Sequence, residues 1–119
     1  MDDLFKGSLD VWGPKAWTYL HLLTLYYTPN EQPEMQRRLE RFFNSIPCGY
    51  CALNAKKYIQ NNPIDYTSSY SMQKWAVDFH NHKNRELNKP QFRFEDLMIT
   101  YGALMNKINV ITSVNSVPN

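Results

Sequence analysis

The chain has 119 residues, 14% of them aromatic, a formal net charge of +2 and two cysteines. That length makes one compact domain, residues 1–119, with a single hydrophobic core. The small charge, scattered and mostly interleaved with acids or amides, argues against a nucleic-acid domain or a polybasic membrane anchor, and neither a signal-like start nor an apolar run near the roughly 18 residues of a membrane span is present.

The first predicted helix runs from Asp10 to about Tyr27, DVWGPKAWTYLHLLTLYY. Pro14 is expected in its first turn, and apolar residues lie nearly all round, as in a buried helix. TPNEQPE breaks it. A second helix follows with Pro33 near its start; Met35, Leu39, Phe42 and Ile46 recur at helical spacing, while Arg37, Arg38, Glu40 and Arg41 fall elsewhere around the axis. Pro47 ends or bends it. The third helix starts at the cysteines, in SIPCGYCALNAKKY, and runs to the breaker QNNP. DYTSSYS then offers Ser and Thr caps for a long fourth helix with Met72, Trp75, Ala76, Phe79 and Leu87 as its apolar side. A last helix is expected from Phe94 to about Met105, with Phe94, Leu97, Met98 and Tyr101 on one face; residues 106–119 read as strand-like or flexible. Without alternating strand runs the fold class is all-α, a bundle of about five helices in which four form the core and a short one follows.

Spacing alone leaves several readings of Cys48 and Cys51. A stabilising bridge is the weakest, since so short a loop removes little entropy from the unfolded chain. A thioredoxin-type dithiol needs a strand just before the motif, where LERFFNSIP is a helix tail. A zinc half-site would draw on His80 and His82, which point about 200° apart around a regular helix. Two inert thiols are the plain alternative. Position favours chemistry: Cys48 follows Pro47 at a helix N-terminus, where free N–H groups and the positive end of the dipole favour a thiolate, and Cys51 lies one turn deeper. With no third cysteine, electrons from such a dithiol must go to a cofactor or another protein.

WGPKAWTYLH, PCGYC and WAVDFHNHKNRELNKPQF stand in the order and spacing of the Erv/ALR family of FAD-linked sulfhydryl oxidases, and the chain resembles that family over nearly its whole length. The resemblance implies a helical bundle cradling FAD beside the dithiol. Four glycines, Gly7, Gly13, Gly49 and Gly102, build neither a G-x-G-x-x-G nor a P-loop, so a dinucleotide must be held another way. By the family's motif Gly13, Trp17 and His21 approach the cofactor. Trp17 and His21, four apart, share a face, though each would otherwise read as core. H-N-x-x-N-x-x-L-x-K-P appears as His80, Asn81, Asn84, Leu87, Lys89 and Pro90. His80 and Asn84 share a helical stripe with Asn81 beside it, an edge able to bond rings and phosphates, or else a polar solvent face. Lys83 joins this cofactor-binding set. Lys89 would bring positive charge to the pyrophosphate, and Tyr101 stands where the family often has a stacking Trp.

In the mechanism that the resemblance implies, the thiolate of a client protein dithiol attacks at Cys48 and the client's second thiol resolves the mixed disulfide. Electrons pass from Cys51 to FAD and on to dioxygen, giving hydrogen peroxide, and no metal is expected. Cellular relatives carry a second bridge whose positions here are Val77 and Phe94, so packing is expected to replace it. Without a shuttle dithiol the chain would take electrons from its client directly, and a family-like homodimer would be non-covalent. The match in size to the large-DNA-virus branch implies host cytoplasm or virions. Two rivals stay open: a non-enzymatic helical interaction module with a C-x-x-C metal half-site, and a flavin-free dithiol oxidoreductase.

Overall fold

A computed structural model describes residues 2–102. A 3-10 turn, Asp2–Phe5, precedes α1 (Leu9–Tyr26); a second, Pro29–Glu31, leads into α2 (Gln32–Asn44). They are followed by α3 (Gly49–Asn61), α4 (Ser69–Glu86) and α5 (Phe94–Leu97), which continues as a π-helical turn, Met98–Gly102. Among the described residues there is no strand, so the all-α class and the five helices stand. The end of the predicted last helix and the 106–119 tail lie outside the described residues.

Helix α2 shows most plainly why these segments are helical. Met35, Leu39, Phe42 and Phe43 are buried on a stripe of helical period, and the opposite face carries charge, with Arg38 donating to Glu34 across one turn at 2.6 Å. Helix α4 begins at Ser68, whose Oγ accepts the Ser71 N–H at 3.0 Å. It ends in a left-handed turn: Asn88 has φ 55°, and the Asn88 and Lys89 N–H groups return to Arg85 O at 3.2 Å and Asn84 O at 2.8 Å. These paired bonds satisfy two carbonyls of the last turn, after which Pro90 cannot continue the helix.

Four expectations need correction. Helix α1 is not buried all round: Trp12, Ala16, Leu20, His21 and Thr24 form its buried stripe, while Leu9, Val11 and Tyr26 are about half exposed. In so small a bundle every helix keeps an outer face. Pro14 lies beyond the first turn, inside a helix that starts at Leu9, so the Asp10 carbonyl loses its usual partner. Ile46 falls past the end of α2, and Leu87 is the exposed C-cap of α4.

The core gathers Leu20 of α1, Met35 and Leu39 of α2, Ala55 of α3 and Met72 and Ala76 of α4, all at most 2% exposed. Aromatic rings fill the rest, Phe42, Phe43, Trp75 and Phe79 meeting largely edge to face. Val77 is buried, and the Phe94 ring meets Tyr70 edge-on at 5.3 Å, so α5 is tied to α4 by packing where the cellular relatives were expected to carry a bridge.

Candidate active site

Pro47 cannot extend α2, and the chain re-enters a helix immediately afterwards, with Cys48 as its N-cap. Cys48 Sγ takes the place a serine oxygen usually fills, accepting the Cys51 backbone N–H at 3.2 Å. Both cysteines are thiols and both are partly exposed. The Cys51 thiol, donating to Cys48, and then the Cys51 backbone N–H hold Cys48 below the ordinary thiol range. Burial, followed by that same donated hydrogen bond, pushes Cys51 up. The outer sulfur is therefore the readier thiolate and the inner one the more sheltered.

Cys51 forms part of the wall of an apolar cleft of about 200 Å3 between α1, α2, α3 and α4. Gly13, Ala16, Trp17 and Leu20 line it from α1, Phe42 and Phe43 from α2, and Phe79, Lys83 and Leu87 from the α4 side. Leu9, Tyr50 and Leu87, between 54% and 75% exposed, stand at its rim. An added Cβ at Gly13 would meet Leu9 only at 3.5 Å, an ordinary contact. Glycine there suits Pro14 better than the cleft, since the Cβ of a residue before proline is one of the groups that clash with the ring in the helical conformation.

Along α1 and α4 the cleft gives way to a stack of rings. Trp17 lies flat on His80, centroids 4.0 Å apart and planes 8° from parallel. His21 Nε2 and His80 Nδ1 are 3.0 Å apart, and His21 is also stacked against Phe92 at 5.6 Å and Tyr101 at 5.0 Å. Burial and then the neighbouring His80 lower the His21 pKa to about 3; burial and then the charge of Lys89 lower His80 to about 4. Both imidazoles are neutral near pH 7, so one donates and the other accepts. His21 Nδ1 is fully buried and has no hydrogen-bond partner among the described residues.

The asparagines, expected either on a cofactor-facing edge or on a solvent face, make hydrogen bonds within the protein. Asn81 Nδ2 donates to Phe92 O at 2.6 Å, and Asn81 Oδ1 accepts the Phe92 N–H at the same distance. The amide thus pairs with the backbone of Phe92 and fixes its ring against the two histidines. Asn84, buried, reaches Asn81 Oδ1 at 3.4 Å. Lys89 is exposed on the turn after α4. The structure therefore brings Gly13, Trp17, Cys51 and Lys83 to one cleft and His21, His80 and Tyr101 to the adjoining stack, with Asn81 and Asn84 behind them. Sequence reasoning gave no role to Phe92, although K-P-Q-F was in view, nor to Leu9 and Tyr50 at the cleft rim, which come from distant segments.

These features suit a flat aromatic cofactor: an apolar cleft beside a thiol, stacked rings leading from it, and a buried imidazole nitrogen left without a partner. Among the described residues no three His, Cys, Asp or Glu side chains gather as a metal site. His80 and His82 diverge as helical geometry requires, His82 meeting Glu86 at 2.8 Å. No described helix is long and apolar enough to cross a membrane.

Comparison with known proteins bears directly on this geometry. Residues 14–102 match the model of the Erv1 / Alr family. An FAD-linked sulfhydryl oxidase of African swine fever virus (isolate Pig/Kenya/KEN-50/1950) is 38% identical over 82 residues, covering 66% of this chain and 69% of the relative. The mitochondrial FAD-linked sulfhydryl oxidase ERV1 of Saccharomyces cerevisiae is 33% identical over 84 residues, covering 67% of this chain and 44% of the yeast protein. The crystal structure of the yeast Erv1 core superposes with a TM-score of 0.73 at 27% identity, over 80% of this chain and 84% of that one. The FAD binding domain of Erv1 from Saccharomyces cerevisiae gives 0.69 at 29% identity, over 75% and 89%.

Proposed function

The chain belongs to the Erv1 / Alr family, and from that premise we propose how it works. It is an FAD-dependent thiol oxidase; the metal half-site and the interaction module are not favoured. Its substrates are thiols, which we take to be pairs of cysteines in client proteins. One observation carries the assignment of parts: Cys51 is in the wall of the apolar cleft while Cys48 caps the helix at its outer end.

Cys48 is the sulfur that meets the client. A client thiolate attacks the Cys48–Cys51 disulfide at Cys48, forming a mixed disulfide, and Cys51 keeps the electron pair of the broken bond. The client's second thiol then displaces Cys48 and leaves with its own disulfide made. FAD held in this cleft would supply the acceptor for the electron pair of the dithiol and the outlet to dioxygen, with hydrogen peroxide as product. Trp17, Gly13 and Lys83 would hold its ring system against Cys51, and His21, His80 and Tyr101 would hold its other end. Asn81 and Asn84 serve by keeping Phe92 in place, and Lys89 lends charge from the exposed turn. Both cysteines of these 119 residues are committed to this centre, so neither is left over to shuttle electrons or to link two copies. The viral relatives support a place in host cytoplasm.

An absorption spectrum of the purified protein tests this, taken without oxygen before and after dithiothreitol. Flavin bands that bleach are expected, and Cys51→Ser should hold its flavin oxidised under the same treatment. A colourless protein, or normal turnover by Cys51→Ser, would overturn the assignment.

A further inference from the structure

The sheltered position of Cys51 creates a difficulty for disulfide opening. Burial is the largest influence raising its pKa, and a thiol of higher pKa is a slower leaving group in disulfide exchange. When the client thiolate bonds to Cys48 Sγ, the Cys48–Cys51 bond breaks and a full negative charge arrives on Cys51 in an apolar wall. Something close by has to offset it.

Lys83 lines the same cleft as Cys51. It occupies one of the positions that H-N-x-x-N leaves free, three residues beyond His80 and so on the cleft-facing side of α4. Its side chain is 19% exposed, and its ammonium is held by Glu86 Oε2 at 3.3 Å. The other carboxylate oxygen of Glu86 meets His82 Nε2 at 2.8 Å, so the carboxylate is gripped from both sides. Among the described residues, Lys83 is the charged side chain whose field reaches both sulfurs, favouring the thiolate at each.

We propose that Lys83 is the cation of the redox centre, offsetting the negative charge that Cys51 acquires when the disulfide opens, and that Glu86 is the positioning residue that holds its ammonium at the cleft wall. Lys83 then has a task besides touching the cofactor. A sulfur in an apolar wall becomes an acceptable leaving group while staying the more sheltered of the two. This rests on the thiol-oxidase reading for its purpose, although the charge itself is read on the thiol.

The test uses the FAD-containing protein with Cys48→Ser, which leaves Cys51 as the single thiol, and follows the pH profile of its alkylation by iodoacetamide. Removing a nearby positive charge disfavours the thiolate, so Lys83→Met and Lys83→Gln, two neutral replacements of different shape, should each move the profile up by about one pH unit. Alkylation at pH 7 would then be roughly tenfold slower. Lys83→Arg, which keeps the charge, should stay near the parent. Glu86→Gln should shift the profile when Lys83 is present and leave it in place when Lys83 is methionine, because Glu86 acts through that lysine. An unchanged profile in both neutral variants, or an equal shift in Lys83→Arg, overturns the role of Lys83. A Glu86→Gln shift that persists without Lys83, or none in either background, overturns the role of Glu86. The profile can be read with or without flavin, so a colourless protein would remove the functional reading and still leave this charge effect measurable.

Discussion

At the scale of single residues the site depends on side chains that are neutral or committed where their type suggests otherwise. His21 and His80 each stay uncharged to about pH 3 and about pH 4 in the folded protein, whereas an unfolded histidine takes its proton near 6.5. Below that value the unfolded chain binds protons that the folded one refuses. The stability tied to the pair is fully present above about pH 6.5 and is lost as pH falls toward 4, at up to about 1.4 kcal/mol per pH unit for each ring. Denaturant unfolding at pH 7, 6 and 5 should show that decline; a level profile would mean that both imidazoles take up their protons in the folded state as readily as in the unfolded chain. Asn81 is committed to the Phe92 backbone through both halves of its amide. Asn81→Ala should cost about 2 kcal/mol, the penalty for leaving buried polar groups unpaired, and release FAD on dialysis more readily than Asn84→Ala, whose bond is long at 3.4 Å. Equal melting temperatures and equal FAD retention in the two variants would contradict this account.

At the scale of elements, two helix ends do most of the arranging. The start of α3 converts a capping position into a reactive one, because the atom that accepts the Cys51 N–H is a sulfur. The end of α4 turns the chain back at Asn88 with φ 55°, which brings Phe92 under Asn81. A left-handed residue with a branched Cβ costs about 1–2 kcal/mol, so Asn88→Val should lower the unfolding free energy by that amount, while Asn88→Gly should differ from the parent by a few tenths. Urea unfolding compares them, and equal losses in both would show that the turn matters for its side chain instead. Both ends were legible: Pro47 before the cysteines and N-K-P after Leu87 are local signals, each acting within one turn of chain. The interior of α1 was less so, since hydrophobic residues on an outer face and on a core face look alike until neighbours are known. Leu9 and Leu20 illustrate the point, one 54% exposed and the other 1%.

At the scale of the whole molecule, exposed apolar groups and the cysteine count bear on assembly. With one dithiol in the chain, no sulfur remains for a covalent link between copies, so the proposed homodimer has to rest on packing. Light scattering should return twice the mass of one chain, unaltered by reductant. A single-chain mass, or a dimer that reductant dissociates, would count against it. The burial of Val77 and the contact of Phe94 with Tyr70 agree with α5 being held by apolar contact, which reductant does not affect. A bundle of this kind can work as an oxidase in a reducing compartment without its own scaffold being dismantled.

The helices, the dithiol and the motifs that tie the chain to its family were determined by sequence alone, because capping, proline placement and helical periodicity act over a few residues and leave a local mark. Which groups face one another was decided by tertiary structure. Nothing local says that Trp17 lies flat on His80, that Phe92 closes the stack, that Asn81 serves a backbone, or that Lys83 reaches the same cleft as Cys51. Those pairings join segments up to tens of residues apart, and they exist only once burial of the apolar stripes has fixed how α1, α3 and α4 lie against each other.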